Sequence, residues 1–498
     1  MPSSAPINAP RRRIGLPLVI AGPIAKLARR VSRMIGREGA ALPGRVLLAL
    51  SPQALEVLAR RGRRRGRRIV LVSATNGKTT TTAMLAEMLA AAGHDVVHNV
   101  TGANLRSGLA TTLLQAGRRG DVCVLETDEA TLPRVAPDLR PDVIVLGNLF
   151  RDQLDRFGEL EVLADRWRDT LDALDPDDHT MVVYNADDPL IAATVEDLAV
   201  ERRFMSTAFG IDSPDAGQEG LPHAADSRFC RRCGHALDYA VSYVGHLGSW
   251  SCPSCGARPA RATTSALDIE LDGLAATTMA VRFDDGSDGE ILVRLPIPGL
   301  YNVYNAIAAM AAARVLGVEA ETMRESIAAA APAFGRFERI PVPGPHGEHG
   351  TITLLLVKNP TGLNEVVRTL VASGVDLTAT LFALNDGIAD GRDTSWVWDA
   401  DVEPLLERAG AMVVTGTRAA EFGLRAIYGG LDPAGVIYEP DLEQAMYRVL
   451  ERAREFTEHG HAYALVTYTA MLEMRAAIAA QGWTRSYWAN EPRKRSRR

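Results

Sequence analysis

A polar loop at residues 74–80 carries the clearest chemical signal in the sequence. It reads Ala-Thr-Asn-Gly-Lys-Thr-Thr and lies between a predicted buried strand at 69–73 and a predicted helix at 80–92. The N–H groups of such a loop and of the helix N-terminus bind phosphate oxygens. Lys78 would neutralise the β- and γ-phosphates, and the Thr79 hydroxyl would bind Mg²⁺. The first glycine of the wider phosphate-loop pattern is missing, but the strand–loop–helix context favours nucleotide binding over a simple turn.

Acidic residues follow the next predicted strand, at 122–125. The segment reads Glu-Thr-Asp-Glu-Ala over 126–130, and Glu126 and Glu129 are candidate Mg²⁺ ligands. Carboxylate oxygens suit this hard cation. The alternative for either residue alone is a solvated loop carboxylate.

Four of the five cysteines form two Cys-x-x-Cys pairs, separated by eighteen residues. This spacing is typical of a zinc ribbon, in which two tight turns present four thiolates to a tetrahedral Zn²⁺. The predicted ligands are Cys230, Cys233, Cys252 and Cys255. An all-thiolate set indicates a closed, structural site. Cys123 falls in a predicted buried strand and reads as a core residue.

Strands and helices alternate around these motifs. Apolar runs at 69–73, 122–125, 143–146 and 181–183, with helices between them, predict a doubly wound α/β sheet. Alternation at 267–271 and 279–283 predicts antiparallel strands, and a second α/β pattern starts at 351. We therefore predict a basic arm at 1–45, an ATP-binding domain at 46–340 with the ribbon inserted at about 225–260, and a Rossmann-like α/β domain at 341–498.

These motifs, in this order, resemble the Mur ligase superfamily. Besides the phosphate loop and the acidic segment, the resemblance rests on 148–155 (Asn-Leu-Phe-Arg-Asp-Gln-Leu-Asp), 185–189 (Asn-Ala-Asp-Asp-Pro), 299–305 (Gly-Leu-Tyr-Asn-Val-Tyr-Asn) and 335–338 (Gly-Arg-Phe-Glu). It implies an ATP site that includes Thr75, Asn76, Gly77, Lys78, Thr79, Thr80, Asn185, Asn302, Asn305 and Arg336. Two departures put a second Mg²⁺ in doubt: Gln153 replaces a metal-binding histidine, and the family's carbamylated lysine has no counterpart.

The last third of the chain resembles the MurT family in particular. The matching segments are 357–362 (Val-Lys-Asn-Pro-Thr-Gly), 384–399 and 466–472, together with the inserted ribbon. The resemblance implies ATP-dependent amidation of the D-glutamate α-carboxylate of lipid II, through an acyl phosphate and with ammonia from a GatD-like glutaminase partner. It also implies that an aspartate of this chain completes the partner's catalytic triad. We predict Asp393 for that role, with Asp390 and Asp399 as rivals and with capping of a turn as the alternative. Lys358 would contact a phosphate or the substrate carboxylate, or simply belong to a turn.

Charge is distributed unevenly along the chain. The net charge is −6, yet residues 1–68 hold fifteen Arg and one Lys against two Glu, which gives +14. This basic segment is either a solvated arm or a surface that binds anionic lipid or a phosphorylated substrate. Nucleic acid ranks lower, because no aromatic residue interleaves the basic run. No apolar stretch near the N-terminus is long enough to span a membrane. We therefore expect a soluble cytoplasmic protein, with peripheral binding at the inner membrane face as an open alternative.

Two other functions remain open on the sequence alone. The first is an amino-acid ligase of the same superfamily, of the Mur peptide or folylpolyglutamate type. The second is a nucleotide-binding interaction protein that uses the ribbon and the basic arm on nucleic acid.

Overall fold

A computed structural model describes most of the chain. The described residues are 15–34, 41–99, 103–152, 159–202, 205–222, 225–284, 289–331, 336–343, 349–457 and 460–484. No helix within these ranges is long and apolar enough to cross a membrane.

The elements alternate between strands and helices through most of these residues. The strands are β1 (Arg68–Ser73), β2 (Val96–His98), β3 (Val122–Glu126), β4 (Val143–Leu146), β5 (Met181–Asn185), β6 (Ser206–Ile211), β7 (Gln218–Glu219), β8 (Asp238–Val244), β9 (Leu247–Ser251), β10 (Thr264–Asp272), β11 (Ala276–Phe283), β12 (Glu290–Leu295), β13 (Arg336–Pro343), β14 (His349–Leu356), β15 (Thr380–Ala383), β16 (Met412–Thr415), β17 (Val436–Tyr438) and β18 (His461–Val466). The α-helices are α1 (Leu18–Met34), α2 (Leu42–Leu50), α3 (Ala54–Arg63), α4 (Lys78–Ala91), α5 (Arg106–Ala116), α6 (Leu132–Leu139), α7 (Leu160–Asp172), α8 (Pro189–Arg202), α9 (Leu300–Val315), α10 (Ala320–Ala328), α11 (Pro360–Ala372), α12 (Glu403–Ala409), α13 (Ala419–Tyr428), α14 (Leu442–Phe456) and α15 (Tyr468–Ala480). Short 3₁₀ helices lie at Pro176–Asp178, Pro214–Ala216, Ser395–Asp399 and Pro433–Gly435.

The larger sheet has the strand order β12-β11-β10-β6-β5-β4-β1-β3-β2. Strands β1 to β6 and β10 pair in parallel, and β11 and β12 extend the sheet antiparallel. Val70 and Val72 of β1 pack into one core with α4 and α9, whereas Ile69 and Leu71 pack into a second core on the other face. A strand buried on both faces reads as a continuous apolar run, which is why this strand was predictable.

A second sheet of order β13-β14-β18-β15-β16-β17 forms the C-terminal α/β unit. Only the β13–β14 pair is antiparallel. This sheet begins at Arg336, so its first strand runs across the predicted domain boundary at 340/341. The predicted fold class, a Mur-ligase-like α/β domain followed by a Rossmann-like α/β domain, is confirmed.

A small three-stranded sheet, β7-β8-β9, accompanies the cysteine pairs. Its hairpin β8–β9 lies between the two Cys-x-x-Cys segments in the chain. The described residues 218–222 and 225–251 therefore form an insertion between β6 and β10 of the larger sheet.

Candidate active site between two α/β domains

The phosphate loop is held in one conformation by its neighbours. Asn148 accepts a hydrogen bond from the backbone N–H of Asn76 at 2.8 Å and donates one to its carbonyl at 3.0 Å. Gly77 precedes α4 with φ +89°, a left-handed conformation that favours glycine. A Cβ there would lie 1.8 Å from Oδ1 of Asn305. Both backbone and packing therefore require glycine at this position.

Lys78 is buried at the start of α4. Its Nζ donates to the carbonyl of Ala74 and, at 3.2 Å, to that of Thr75, and it lies 2.8 Å from Oε2 of Glu129. Burial opposes the charged form, but the Glu129 carboxylate outweighs burial and raises the pKa of Lys78 above its usual value. The loop thus carries a fixed positive charge.

Glu126 and Thr79 form the other half of the acidic motif. The Thr79 hydroxyl lies 2.9 Å from Oε2 of Glu126, and Asn104 donates to Oε1 at 3.2 Å. Mg²⁺ binds oxygen at 2.0–2.1 Å in an octahedron, so adjacent ligands lie about 2.9 Å apart. Thr79 and Glu126 therefore fit two neighbouring positions of one Mg²⁺, whereas Glu129 contacts Lys78.

A cleft of about 720 Å³ opens beside this loop. Asn76, Gly77 and Asn305 line it from the larger domain, and Arg336 and Lys358 line it from the C-terminal domain. Ligand pockets commonly form between domains in this way.

Two consecutive residues of the C-terminal domain contact the phosphate loop directly. Lys358 donates to the Thr75 carbonyl at 3.1 Å and forms an ion pair with Asp152. Asn359 and Asn76 exchange side-chain hydrogen bonds of 3.1 and 3.3 Å. The sequence gave Lys358 a candidate role within the segment 357–362, but it assigned no role to Asn359.

The remaining predicted ATP-site residues divide into two groups. Arg336 donates to the Thr80 hydroxyl at 3.2 Å, and burial lowers the pKa of its guanidinium. Asn302 accepts a hydrogen bond of 3.0 Å from Asn305, which lines the cleft. Asn185, in contrast, is fully buried at the end of β5 and is absent from the cleft lining.

The four predicted zinc ligands lie together. Their Sγ atoms are all within 4.8 Å of one another, with 3.6 Å between Cys230 and Cys255 and 3.4 Å between Cys233 and Cys252. Each pair is followed by a glycine with φ +73°. Because tetrahedral Zn–S bonds of 2.3 Å place sulfurs about 3.8 Å apart, this set fits Zn²⁺.

The ribbon also contacts both domains. Trp250 donates to the Ala186 carbonyl at 3.2 Å, and Arg232 pairs with Asp197 at 2.8 Å. At the other end of the hairpin, the Tyr243 carbonyl accepts a 2.6 Å hydrogen bond from Arg368 of α11. Val244 and Leu247 of the same hairpin line the cleft.

The three candidate aspartates of the C-terminal domain have different surroundings. Asp390 is buried and bonds to the backbone and hydroxyl of Thr469. Asp399 is exposed and lies 3.4 Å from the Arg151 guanidinium. Asp393 is exposed, and its hydrogen bonds from Ser395 lower its pKa.

Comparison with known proteins agrees with this geometry. Residues 72–237 match the model of the Mur ligase middle domain, and residues 356–471 match that of the MurT ligase C-terminal domain. The chain is 33% identical over 90% of its length to the MurT subunit of lipid II isoglutaminyl synthase (glutamine-hydrolyzing) from Streptococcus pneumoniae, 94% of which is covered. The MurT subunit from Staphylococcus aureus strain N315 is 30% identical over 91% of this chain and 95% of the relative.

The chain belongs to the MurT family. Its relatives are subunits of a glutamine-hydrolyzing synthase, so this is a family of carbon–nitrogen ligases.

Solved structures share the fold of this MurT-family chain. MurF from Acinetobacter baumannii matches with a TM-score of 0.62 at 17% identity, over 88% of this chain and 80% of that one. A pseudomurein peptide ligase from Methanothermus fervidus matches with a TM-score of 0.61 at 22% identity, over 83% and 79%. At these identities the likeness extends to the fold alone.

One residue at which this MurT-family chain differs from the wider superfamily pattern has no described position in the structure. Gln153 lies outside the described residues. Tyr301, which lies in the segment 299–305, is part of the cleft lining, and burial raises the pKa of its phenol.

Proposed function

We propose that this chain is the ATP-dependent synthetase subunit that amidates the α-carboxylate of D-glutamate in lipid II. The observation that carries the proposal is a phosphate loop, with Lys78, Thr79 and Glu126, facing a cleft closed by both domains of a MurT-family chain. ATP binds in this cleft, with its phosphates along the N-terminus of α4.

The chemistry follows from the poor reactivity of a carboxylate. A substrate carboxylate oxygen attacks the γ-phosphorus of ATP and ADP leaves, which gives an acyl phosphate. Ammonia then attacks the acyl carbon, phosphate leaves, and the nitrogen loses a proton to give the amide. Lys78 and Lys358 offset the negative charge of the phosphates and of the entering carboxylate.

Thr79 and Glu126 would hold the Mg²⁺ of Mg-ATP, which supplies charge neutralisation at the phosphates. Glu129 keeps Lys78 in position on the loop. Zn²⁺ bound by Cys230, Cys233, Cys252 and Cys255 is structural, because four thiolates complete its coordination.

Ammonia has to come from a second protein if glutamine is its source. A glutaminase uses a cysteine nucleophile. Four of the five cysteines form the zinc cluster, and Cys123 is fully buried with its pKa raised by burial to about 11. We therefore assign glutamine hydrolysis to a GatD-like partner subunit.

Asp393 is the best candidate to complete the partner's catalytic triad. Its carboxylate is exposed and ionised, whereas Asp390 is engaged by Thr469 and Asp399 pairs with Arg151. Exposed apolar side chains, Ile388 and Trp398, lie within five residues of it and offer a contact surface for the partner.

The test is mass analysis of lipid II after incubation with this chain, Mg-ATP and either ammonium or glutamine plus the partner. Lys78→Ala should abolish the amide with both donors. Asp393→Asn should abolish it with glutamine only, while Asp399→Asn keeps both activities. An Asp393→Asn enzyme that still uses glutamine would exclude Asp393 from the triad. A wild-type product carrying an added amino acid instead of an amide would favour the amino-acid ligase.

A further inference from the structure

The first helix, α1, has its side chains distributed in an unusual way. The face that packs toward α2 and α5 holds the partly buried Leu18 and otherwise small residues, with Ala21, Gly22 and Ala25 buried. The opposite face carries large apolar residues, and Val19 is 68% and Leu27 59% exposed. Surface helices of globular proteins ordinarily show the reverse pattern, because they bury their large apolar residues.

The exposed apolar face of α1 is continuous. It comprises Val19, Ile20, Ile24 and Leu27, which are adjacent or three to four residues apart on the helix, and Leu16 is exposed just before the helix begins. Contiguous apolar surface of this kind marks a binding face for another molecule or a membrane.

Basic residues accompany the apolar face. Lys26 and Arg30 are exposed on α1 itself. The sequence adds Arg11, Arg12 and Arg13 just before it, within the segment 1–68 that carries a net charge of +14. Apolar side chains bordered by cations are typical of helices that lie in the interface of an anionic lipid bilayer.

We propose that α1 docks this chain on an anionic lipid surface, with Leu16, Val19, Ile20, Ile24 and Leu27 inserted among the lipid headgroups. A protein partner would have to present an apolar patch bordered by acidic residues, whereas an anionic bilayer offers apolar chains beneath negative headgroups over its whole surface. The charge complementarity therefore favours lipid.

The helix is also connected to the active site. The backbone N–H of Leu16 donates to the carbonyl of Leu50 at the end of α2, and the carbonyl of Pro52, two residues further on, accepts a 3.1 Å hydrogen bond from Arg106. Arg106 follows Asn104, whose side chain bonds to Glu126. These contacts link the start of α1 to the loop that carries Asn104 and, through it, to the acidic motif.

The test is flotation of the full chain with vesicles, which needs neither ATP nor the partner subunit. Wild type should bind vesicles of phosphatidylglycerol mixed with phosphatidylethanolamine, and should bind phosphatidylcholine vesicles weakly. The double variant Val19→Asn, Leu27→Asn should lower the partition coefficient at least about tenfold, because interfacial binding scales with buried apolar area. Lys26→Gln, Arg30→Gln should weaken binding and reduce its salt dependence.

The matched control is Leu292→Asn, since Leu292 is 69% exposed on the edge strand β12. Thermal melting checks that each variant folds. Three outcomes would overturn the proposal. The first is wild type that fails to bind anionic vesicles at low salt, and the second is α1 variants that bind vesicles as well as Leu292→Asn does. The third is α1 variants that still bind vesicles but no longer bind a protein partner of the wild type. None of these outcomes depends on the amidation reaction, so the proposed function can stand or fail separately.

Discussion

At the scale of single residues, both lysines of the active site form ion pairs with carboxylates. Lys78 pairs with Glu129, and Lys358 pairs with Asp152. Burial would raise the pKa of Glu129, but the two lysines hold it below its usual value. Both members of the Lys78–Glu129 pair therefore stay charged near neutral pH, and the loop keeps its electrostatic character without a change in protonation.

The Thr79 hydroxyl provides a direct test of the metal assignment. Thr79→Val keeps the shape of the side chain and removes the oxygen, so it should lower the rate of ammonium-dependent amidation by about 100-fold, as for other electrostatic groups of a transition state. Thr79→Ser retains the oxygen and should retain most of the rate. The measurement is a Mg²⁺ titration of amide formation. A valine variant with the wild-type rate and Mg²⁺ dependence would remove Thr79 from the metal site.

Asp187 should make stability depend on pH. Burial raises its pKa to about 7, although the N–H of Ile211 and the hydroxyl of Tyr304 bond to it at 2.8 and 2.7 Å. The folded state therefore binds this proton more tightly than the unfolded state, whose carboxyl titrates near pH 4. The stabilisation of the folded state by this bound proton is complete below about pH 4 and is lost as the pH rises through about 7.

Asp187→Asn should remove this dependence. The variant should gain up to a few kcal/mol relative to wild type between pH 4 and pH 8, since one unit of pKa is worth about 1.4 kcal/mol. Urea unfolding at both pH values measures the difference. A difference between the two proteins that stays constant with pH would show that Asp187 does not titrate in this range.

Residues close in sequence were the predictable part of the site. Gly77, Lys78 and Thr79 follow one strand, and the carboxyl ends of parallel strands bring Glu126 beside them. The contact between Asn76 and Asn359 joins residues 283 positions apart. No local pattern encodes it, because it depends on how one domain sits on the other.

At the scale of elements, the four-cysteine ribbon contacts both domains, and we expect zinc bound there to brace them. One end packs against α7 and α8, where Arg231 pairs with Asp165, and the hairpin end reaches α11 and the cleft. Loss of the metal should therefore affect the ATP site as well as the ribbon itself.

Cys252→Ser should remove zinc and lower the melting temperature by roughly 5–10 °C, as expected for a loss of a few kcal/mol in a domain of this size. It should also raise the KM for ATP, because Val244 and Leu247 line the cleft. Zinc content, thermal melting and the KM for ATP are the measurements. Cys123→Ala, a core cysteine outside the cluster, is the control and should keep zinc. A metal-free protein with unchanged melting and KM would contradict the role of brace.

Edge strands were the elements that sequence patterns described least well. Pro341 and Pro343 directly follow the predicted domain boundary at 340/341, yet both belong to β13. β13 is the outer strand of its sheet. Proline is tolerated in such a strand at positions where the missing N–H would face away from the sheet. The three-residue strand β17, also at an edge, is too short to give a periodic signal. The buried central strand β4 was predicted at its observed bounds.

At the scale of the whole molecule, the site exists only where the two domains meet. The larger domain supplies the phosphate loop, and the C-terminal domain supplies Lys358, Asn359 and Arg336. Each domain alone would hold half of the groups that surround the cleft. Catalysis should therefore depend on contacts that contribute little to the stability of either domain.

Asn359 allows these two contributions to be separated, because it has two tasks. Its Oδ1 accepts a 2.8 Å hydrogen bond from the N–H of Gly362 and so caps α11, while its amide bonds to Asn76 in the other domain. Serine is a good helix cap but is too short to replace the amide. Asn359→Ser should leave the unfolding free energy within about 0.5 kcal/mol of wild type, whereas Asn359→Ala should lose about 1 kcal/mol. Both variants should raise the KM for ATP by a similar factor. If the KM rises only in the alanine variant, the contact with Asn76 is not what holds the domains together over the nucleotide, and the cap alone would account for the effect.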